Sequence, residues 1–156
     1  MSEAAAAQQP VFNIEKLYVK DLSLEIPHAP GIFLEREQPQ IDLQLRSESS
    51  AVGEGMFEVT ITVTVTAKLT EKNQVMFLIE AKQAGVFQLR NLPQEELGPV
   101  LGVVCPNILY PYLREVVSDL AVRAGFAPVL LNPINFDALY QQQQQQQAQA
   151  EPVTTH

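Results

Sequence analysis

The chain has 156 residues, of which eighteen are acidic and ten are basic, so its formal net charge at pH 7 is -8. This length suits one folded domain with a buried core. The acidity opposes the cationic surface that phosphate backbones require, and it argues against nucleic-acid and anionic-membrane partners. The single cysteine, Cys105, permits no intramolecular disulfide, so a reducing compartment fits the chain best.

The two ends of the chain differ in composition from the middle. Residues 1–10 are rich in Ala and Gln and lack the cationic region of a secretory signal, and residues 141–156 begin with seven glutamines. The aliphatic runs fall short of the roughly 20 residues that span a bilayer. The sequence therefore predicts a soluble, cytoplasmic protein with a disordered tail over 1–10, one domain over 11–140 and a largely disordered tail over 141–156. Because glutamine is a reasonable helix former, part of this tract can extend a preceding helix.

The first half of the domain shows the two-residue hydrophobic period of β-strands. The predicted strands are 12–26, 41–46, 57–69 and 75–89. In the first strand the period slips near Glu15-Lys16 and again near Lys20-Asp21, which predicts two β-bulges. Gly85 predicts a further bulge in the fourth strand. A polar connection of hairpin length makes the third and fourth strands an antiparallel pair.

From Pro93 the hydrophobic period becomes that of helices. We expect a short helix, a break, and a longer helix from about Pro106, with Gly125 as its C-terminal cap and Asn135 capping a last, shorter helix. Because the helices follow the strands, the predicted fold class is α+β with a four-stranded antiparallel sheet. One long helix cannot cover both faces and both edges of such a sheet. We therefore expect self-association, as a dimer or a dimer of dimers.

The residue types that carry catalysis are scarce and scattered. The only histidines are His28 and His156, and Cys105 has neither histidine nor cysteine near it in the sequence. No serine lies in a nucleophile motif, and Gly53-Glu54-Gly55 lacks the lysine of a phosphate-binding loop. The sequence predicts no catalytic residue, no metal and no cofactor.

Large apolar side chains in loops and in the last helix have little sheet available to bury them. They are therefore candidates for a binding surface, with ordinary core as the alternative for the strand positions. The candidates are Phe33, Leu34, Ile41, Leu43, Phe126, Phe136, Leu139 and Tyr140. The rival interpretation is a small-molecule binding protein or an enzyme that uses a cavity between sheet and helices, which requires convergent polar groups.

Several segments of the chain together resemble one family. The segment CPNILYPYLRE at 105–115 resembles the SecB family of protein-export chaperones. YVKDLSLEIP at 18–27, VTVTA at 63–67 and PINFDALY at 133–140 agree with it in the family's order. The resemblance covers about residues 11–140.

The resemblance implies an ATP-independent chaperone. Such a protein binds unfolded preproteins, keeps them competent for translocation, and delivers them to the SecA motor for export through the Sec translocase. It also implies a homotetramer, a dimer of dimers, whose subunits each have an antiparallel four-stranded sheet and two main helices.

The resemblance also assigns surfaces to particular residues. The SecA-docking positions that it implies are Asp21, Glu25, Leu78 and Glu80. The tetramer-interface positions that it implies are Ile79, Ala81 and Gln83, which alternate away from Glu80 along one strand. Relatives commonly have tryptophan where this chain has Glu37. Either Phe33 and Leu34 supply enough apolar contact without it, or client preference shifts toward basic segments.

Overall fold

The computed structural model describes residues 9–150. The tails predicted over 1–10 and 141–156 therefore lie partly outside the described residues. The strands are β1 (Val11–Glu25), β2 (Gln40–Gly53), β3 (Met56–Leu69) and β4 (Gln74–Arg90). The helices are α1 (Gln94–Pro99), α2 (Cys105–Arg123) and α3 (Phe136–Ala150). A four-stranded antiparallel sheet followed by helices confirms the predicted α+β class.

The sheet has the strand order β1-β4-β3-β2, so β1 and β2 are its two edges. The pairing of β1 with β4 shifts register between Ile14 and Lys16 and again between Val19 and Asp21, which confirms both predicted bulges. Because of these shifts, six apolar residues of β1 pair with odd-numbered residues of β4 and share one face. These residues are Phe12, Ile14, Leu17, Val19, Leu22 and Leu24.

The bulge predicted at Gly85 is wrong. The pairing of β3 with β4 continues without a shift through this position. A Cβ atom at Gly85 would lie 2.9 Å from the Phe87 ring and 3.0 Å from Leu17. The glycine therefore makes room for close packing of these side chains instead of adding a residue to the strand.

The core lies between one face of the sheet and α2. On β3, Val59, Ile61 and Val65 are fully buried on this face, while threonines alternate with them on the other. From α2, Leu109 and Leu113 are also fully buried. Burial of each such side chain contributes about 1.5–3 kcal/mol, so this layer holds the helix on the sheet.

The predicted break between the first two helices is a change of helix type. A π-helical turn over Val100–Val104 joins α1 to α2, and the chain stays helical through it. Pro106 lies in the first turn of α2. We ascribe the wider π turn to Pro106, because its ring and its missing N–H are incompatible with a regular α-helical ladder.

Within residues 9–150, the helical stretch Gln94–Arg123 is long and apolar enough, by length and composition, to cross a membrane. This stretch is longer than any uninterrupted aliphatic run of the sequence, because polar residues are interspersed among its apolar ones. Core helices meet the same criteria, and α2 packs against β4 and β3 through buried side chains.

The local signals at the helix ends are confirmed. Gly125 has φ +92° and follows α2, and the N–H of Phe126 donates to the carbonyl of Ala121 at 3.0 Å. The side-chain oxygen of Asn135 accepts the N–H of Ala138 at 3.0 Å and so caps α3. Residues 141–150 continue α3, which agrees with the expectation that part of the glutamine tract can extend a preceding helix. The cap starts the helix, and glutamine propagates it.

Candidate chain-binding groove and docking face

A groove of about 640 Å³ opens on the helix side of the sheet. Its walls come from the loop before β2, from β2 itself, from the start of β4 and from the loop that follows α2. The apolar side chains that line it include Ile41, Leu43, Met76, Phe77, Phe126 and Leu130. Ile41 and Leu43 keep 40% and 44% of their surface exposed, and Leu130 keeps 78%. The groove thus presents apolar surface to solvent.

A row of three aromatic rings holds two of these walls together. The ring centroids of Phe33 and Phe126 are 5.2 Å apart, and those of Phe126 and Phe77 are 4.7 Å apart. Phe77 is buried in the core, whereas Phe33 is about half exposed. Each aromatic pair contributes about 0.5–1.5 kcal/mol beyond its area burial. The row anchors both loops to β4.

The structure brings together one group of the candidate binding residues. Ile41, Leu43 and Phe126 line the groove, and Phe33 stacks on Phe126. Leu34, on the same short 3-10 turn as Phe33, is 82% exposed and does not line the groove.

The candidates in α3 lie elsewhere. The prediction that Phe136 belongs to a binding surface is corrected, because this side chain is only 3% exposed. It packs edge-on against Tyr110 at a centroid distance of 5.5 Å. Leu139 and Tyr140 line a small separate cavity with Leu45 of β2. Tyr140 lies against the helical segment beneath it, since a Cβ atom at Gly102 would meet its ring. Phe136 and Tyr140 therefore pack against the subunit itself, whereas residues 141–149 of α3 are exposed.

Among the apolar groove residues named above, sequence reasoning missed Met76, Phe77 and Leu130. Leu130 carried a usable signal, since it is an apolar residue in a loop between Pro128 and Pro133. Phe77 and Met76 carried none, because alternation along β4 predicts ordinary core for Phe77 and the opposite face for Met76, which the register shift between Ala67 and Lys68 leaves unpaired.

One wall of the groove carries a carboxylate, that of Glu37. Its Oε1 atom accepts hydrogen bonds from the Thr70 hydroxyl at 3.4 Å and from the Glu71 N–H at 3.2 Å. Its Oε2 atom is buried and has no hydrogen-bond partner among the described residues. The position that the resemblance associates with tryptophan is thus a fixed, charged feature of the groove.

The implied SecA-docking residues share the open face of the sheet. Glu25 pairs with Leu78, and Asp21 pairs with Lys82, two residues beyond Glu80 on β4. Both carboxylates of β1 are exposed, and Leu78 and Glu80 are partly exposed. These four residues, named here the docking face, point away from α2.

The implied tetramer-interface residues lie under the subunit's own helix. Ile79, Ala81 and Gln83 are 0%, 1% and 3% exposed on the face of β4 that α2 covers. The prediction that these side chains form the tetramer interface is therefore corrected, because they are buried within the subunit and cannot contact another subunit directly. They support α2 from below, so changes at these positions would reach an interface only through the helix.

The helix-side face of β1 is uncovered, because α2 packs on β4 and β3. Phe12, Ile14, Val19 and Leu22 keep 39%, 47%, 45% and 43% of their surface exposed. We name these four residues the β1 apolar edge. A free edge strand with a contiguous apolar face is a typical surface for protein association.

The described residues offer little chemistry for catalysis. Residues 9–150 contain no group of three or more His, Cys, Asp or Glu side chains that could hold a metal ion. Cys105 is fully buried, and burial raises the pKa of its thiol to about 12. The thiol therefore stays protonated at neutral pH and is not a nucleophile.

An α+β sheet with an apolar groove on one side and a charged face on the other defines a polypeptide-binding protein. Residues 5–147 match the family described as preprotein translocase subunit SecB. The chain belongs to the SecB family.

Similar proteins and structures agree with this membership. The protein-export protein SecB of Nitrosomonas eutropha is 63% identical over 93% of this chain and 91% of its own length. That of Methylobacillus flagellatus is 59% identical over 98% and 96%. A Mycobacterium tuberculosis SecB-like chaperone, solved in complex with an antitoxin peptide, has a TM-score of 0.64 at 22% identity. It covers 83% of this chain and 93% of its own, and it shows the same fold.

Proposed function

We propose that the chain is an ATP-independent chaperone of protein export. It binds unfolded preproteins, keeps them competent for translocation and delivers them to the SecA ATPase for passage through the Sec translocase. Family membership and the names of relatives at 59–64% identity support this proposal. The observation that carries it in the structure is the open apolar groove of about 640 Å³.

The groove suits extended, non-native chains. Its exposed apolar side chains are spread along two loops and an edge strand instead of converging on one small ligand. Each contact is weak, so affinity comes from several contacts made by one long client. A folded client buries its apolar segments and offers nothing to hold. The SecB family is a chaperone family, and we propose no catalytic activity, metal or cofactor for this chain.

The docking face gives SecA a separate place to bind. Asp21, Glu25, Leu78 and Glu80 adjoin one another on the face of the sheet opposite the groove. Acidic side chains at the rim of an interface favour a cationic partner surface and speed its association. A client and SecA can therefore occupy one subunit together.

We propose a homotetramer, a dimer of dimers, in the bacterial cytoplasm. The β1 apolar edge supports this assembly, because four large apolar side chains stand exposed along a free edge strand. The net charge of -8 disfavours nucleic-acid partners. We propose no direct insertion into the membrane.

The test of the groove is a pair of variants on one strand. Ile41→Ser with Leu43→Ser removes two exposed groove contacts at little cost to folding, and Val52→Ser is the matched control on β2, where Val52 is 56% exposed outside the groove. Light scattering after rapid dilution of a denatured precursor measures capture. We expect capture to weaken about tenfold or more in the groove variant, since each lost contact contributes about 1 kcal/mol. Undiminished capture by a folded groove variant would sink the assignment.

A further inference from the structure

We infer that Lys82 is a specificity-determining residue of the docking face, where it binds a carboxylate of the protein that docks there. This inference rests on the proposed function of that face as the SecA site and adds a recognition rule to it. The partner surface carries cations opposite the acidic positions of the face and an anion opposite Lys82.

Lys82 lies within the docking face. It pairs across the sheet with Asp21 of β1 and follows Glu80 by two residues on β4, so its side chain shares the open face with both carboxylates. Lys82 is partly exposed, and it lines a cavity of about 190 Å³ together with Thr60 and Thr62 of β3. A side chain of a docked partner can therefore reach its ammonium group.

The subunit itself leaves the charge of Lys82 unpaired. Two carboxylates line the same cavity, but Glu58 is bonded to Lys20 at 2.6 Å and Glu48 to Arg46 at 3.5 Å. Among residues 9–150, no carboxylate forms an ion pair with Lys82, not even that of the residue with which it pairs on β1. The carboxylates of the cavity are thus compensated, whereas the ammonium group of Lys82 is not.

The pattern of charges selects the occupant. The three carboxylates of the docking face, those of Asp21, Glu25 and Glu80, favour a cationic partner surface. A partner that carried cations alone would bring one of them beside Lys82, and like charges at an interface oppose binding. A partner carboxylate at this place forms a charge-assisted hydrogen bond with the ammonium group instead. Lys82 therefore fixes one register of the partner on a face whose anions alone would accept several.

The experiment measures the binding of SecA to four proteins by titration calorimetry. They are the full chain, Lys82→Gln, which removes the charge, Lys82→Arg, which keeps it, and the control Lys16→Gln. The control makes the same change of net charge at an exposed lysine of the same face. Lys16 pairs with Val86, four residues beyond Lys82 on β4, and so lies away from the docking face.

We expect Lys82→Gln to weaken SecA binding about fivefold, as the loss of a partly exposed ion pair would give. Lys82→Arg should bind like the full chain, and Lys16→Gln should not weaken binding. The sign of the change is decisive. If the acidic face only attracted a cationic partner, removal of a lysine would make the face more acidic and binding would tighten.

The failures of the inference and of the proposed function are distinguishable. Unchanged or tighter binding by Lys82→Gln, or an equal loss in Lys16→Gln, would overturn the role of Lys82 and leave the docking face standing. A lowered free energy of unfolding or assembled mass in Lys82→Gln would show that Lys82 supports the fold, which also contradicts the inference. If SecA does not bind the full chain, the docking-face assignment itself fails and the inference fails with it.

Discussion

At the scale of single residues, three side chains hold the second bulge of β1 in place. Lys20 is the extra residue of that bulge, and its ammonium nitrogen lies 2.6 Å from Oε1 of Glu58 on β3. The Tyr18 hydroxyl donates to Oε2 of the same carboxylate. Both side chains reach across β4 above Ala84, the small residue that pairs with Tyr18. The bulge is thus attached to a strand that β1 does not touch.

This cluster predicts a pH dependence of stability. Hydrogen bonds from Lys20 and Tyr18 lower the pKa of Glu58 below its ordinary value of 4.5. A carboxyl group with a lowered pKa in the folded state stabilises the fold above about pH 4.5 and loses this contribution as the pH falls through the folded value. Glu58→Gln should therefore flatten the acid decline of the free energy of unfolding, by about 1 kcal/mol. Urea unfolding across the acid range measures it.

The control is Glu95→Gln, which makes the same charge change on α1, away from the cluster. An equal flattening in both variants would contradict the assignment. At alkaline pH the sign reverses, because burial and the Glu58 carboxylate raise the pKa of Tyr18 to about 12. The contribution of Tyr18 is complete below pH 10, its ordinary value, and is lost as the pH rises toward 12.

At the scale of elements, β1 is an edge strand whose apolar face α2 does not cover. Its two bulges keep six apolar side chains on one face, so the strand is amphipathic from Phe12 to Leu24. The subunit alone leaves the β1 apolar edge in water, although Leu17 and Leu24 pack against the core. Burying this edge against a second copy removes it from water, which favours association.

Val19→Glu with Leu22→Glu is predicted to dissociate the assembly. Both side chains are nearly half exposed in the subunit, so glutamates are tolerated there, but an interface would bury them without partners. The mass from light scattering should fall toward the subunit mass of 17.3 kDa. The control, Leu34→Glu with Val52→Glu, adds the same charges at exposed positions and should keep the assembled mass. Retention of the full mass by the β1 variant would refute this role of the edge.

At the scale of the whole molecule, the sheet separates the two proposed binding surfaces. The groove lies on the helix side, and the docking face lies on the open side. A four-stranded sheet between them means that a change on one face need not disturb the other. If both proposed assignments hold, one subunit can bind a client and SecA at the same time, provided that the two surfaces are energetically independent.

Reversing two charges of the docking face tests this separation. Asp21→Lys with Glu80→Lys should weaken SecA binding about tenfold or more, because like charges then oppose a cationic partner, while client capture and assembled mass persist. Glu95→Lys with Glu115→Lys makes the same change of charge on the helices and should bind SecA normally. Normal SecA binding by the docking-face variant would exclude this face as the site. The groove variant should show the reverse behaviour.

Local chemistry made much of the fold predictable. The bulges at Glu15 and Lys20 follow from the phase of apolar residues, and the caps at Gly125 and Asn135 follow from backbone and side-chain preferences within a few residues. The groove was predictable where apolar residues lie in loops, as Phe126 does. These features depend on residues that are close together in the sequence, so they can be predicted from the sequence alone.

Other features depend on which distant elements meet. Phe136 is buried because α3 packs beside Tyr110, and Ile79 and Ala81 are buried because α2 covers their face of β4. The order β1-β4-β3-β2 decides that β1 is an edge, and the turn after β3 supplies the hydrogen bond from the Glu71 N–H to the Glu37 carboxylate. The sequence by itself determined the elements, their faces and the acidic surface, because these follow from residue type and spacing. Only the tertiary structure decided which faces are covered, because the hydrophobic effect is not directional and does not specify which elements pack together.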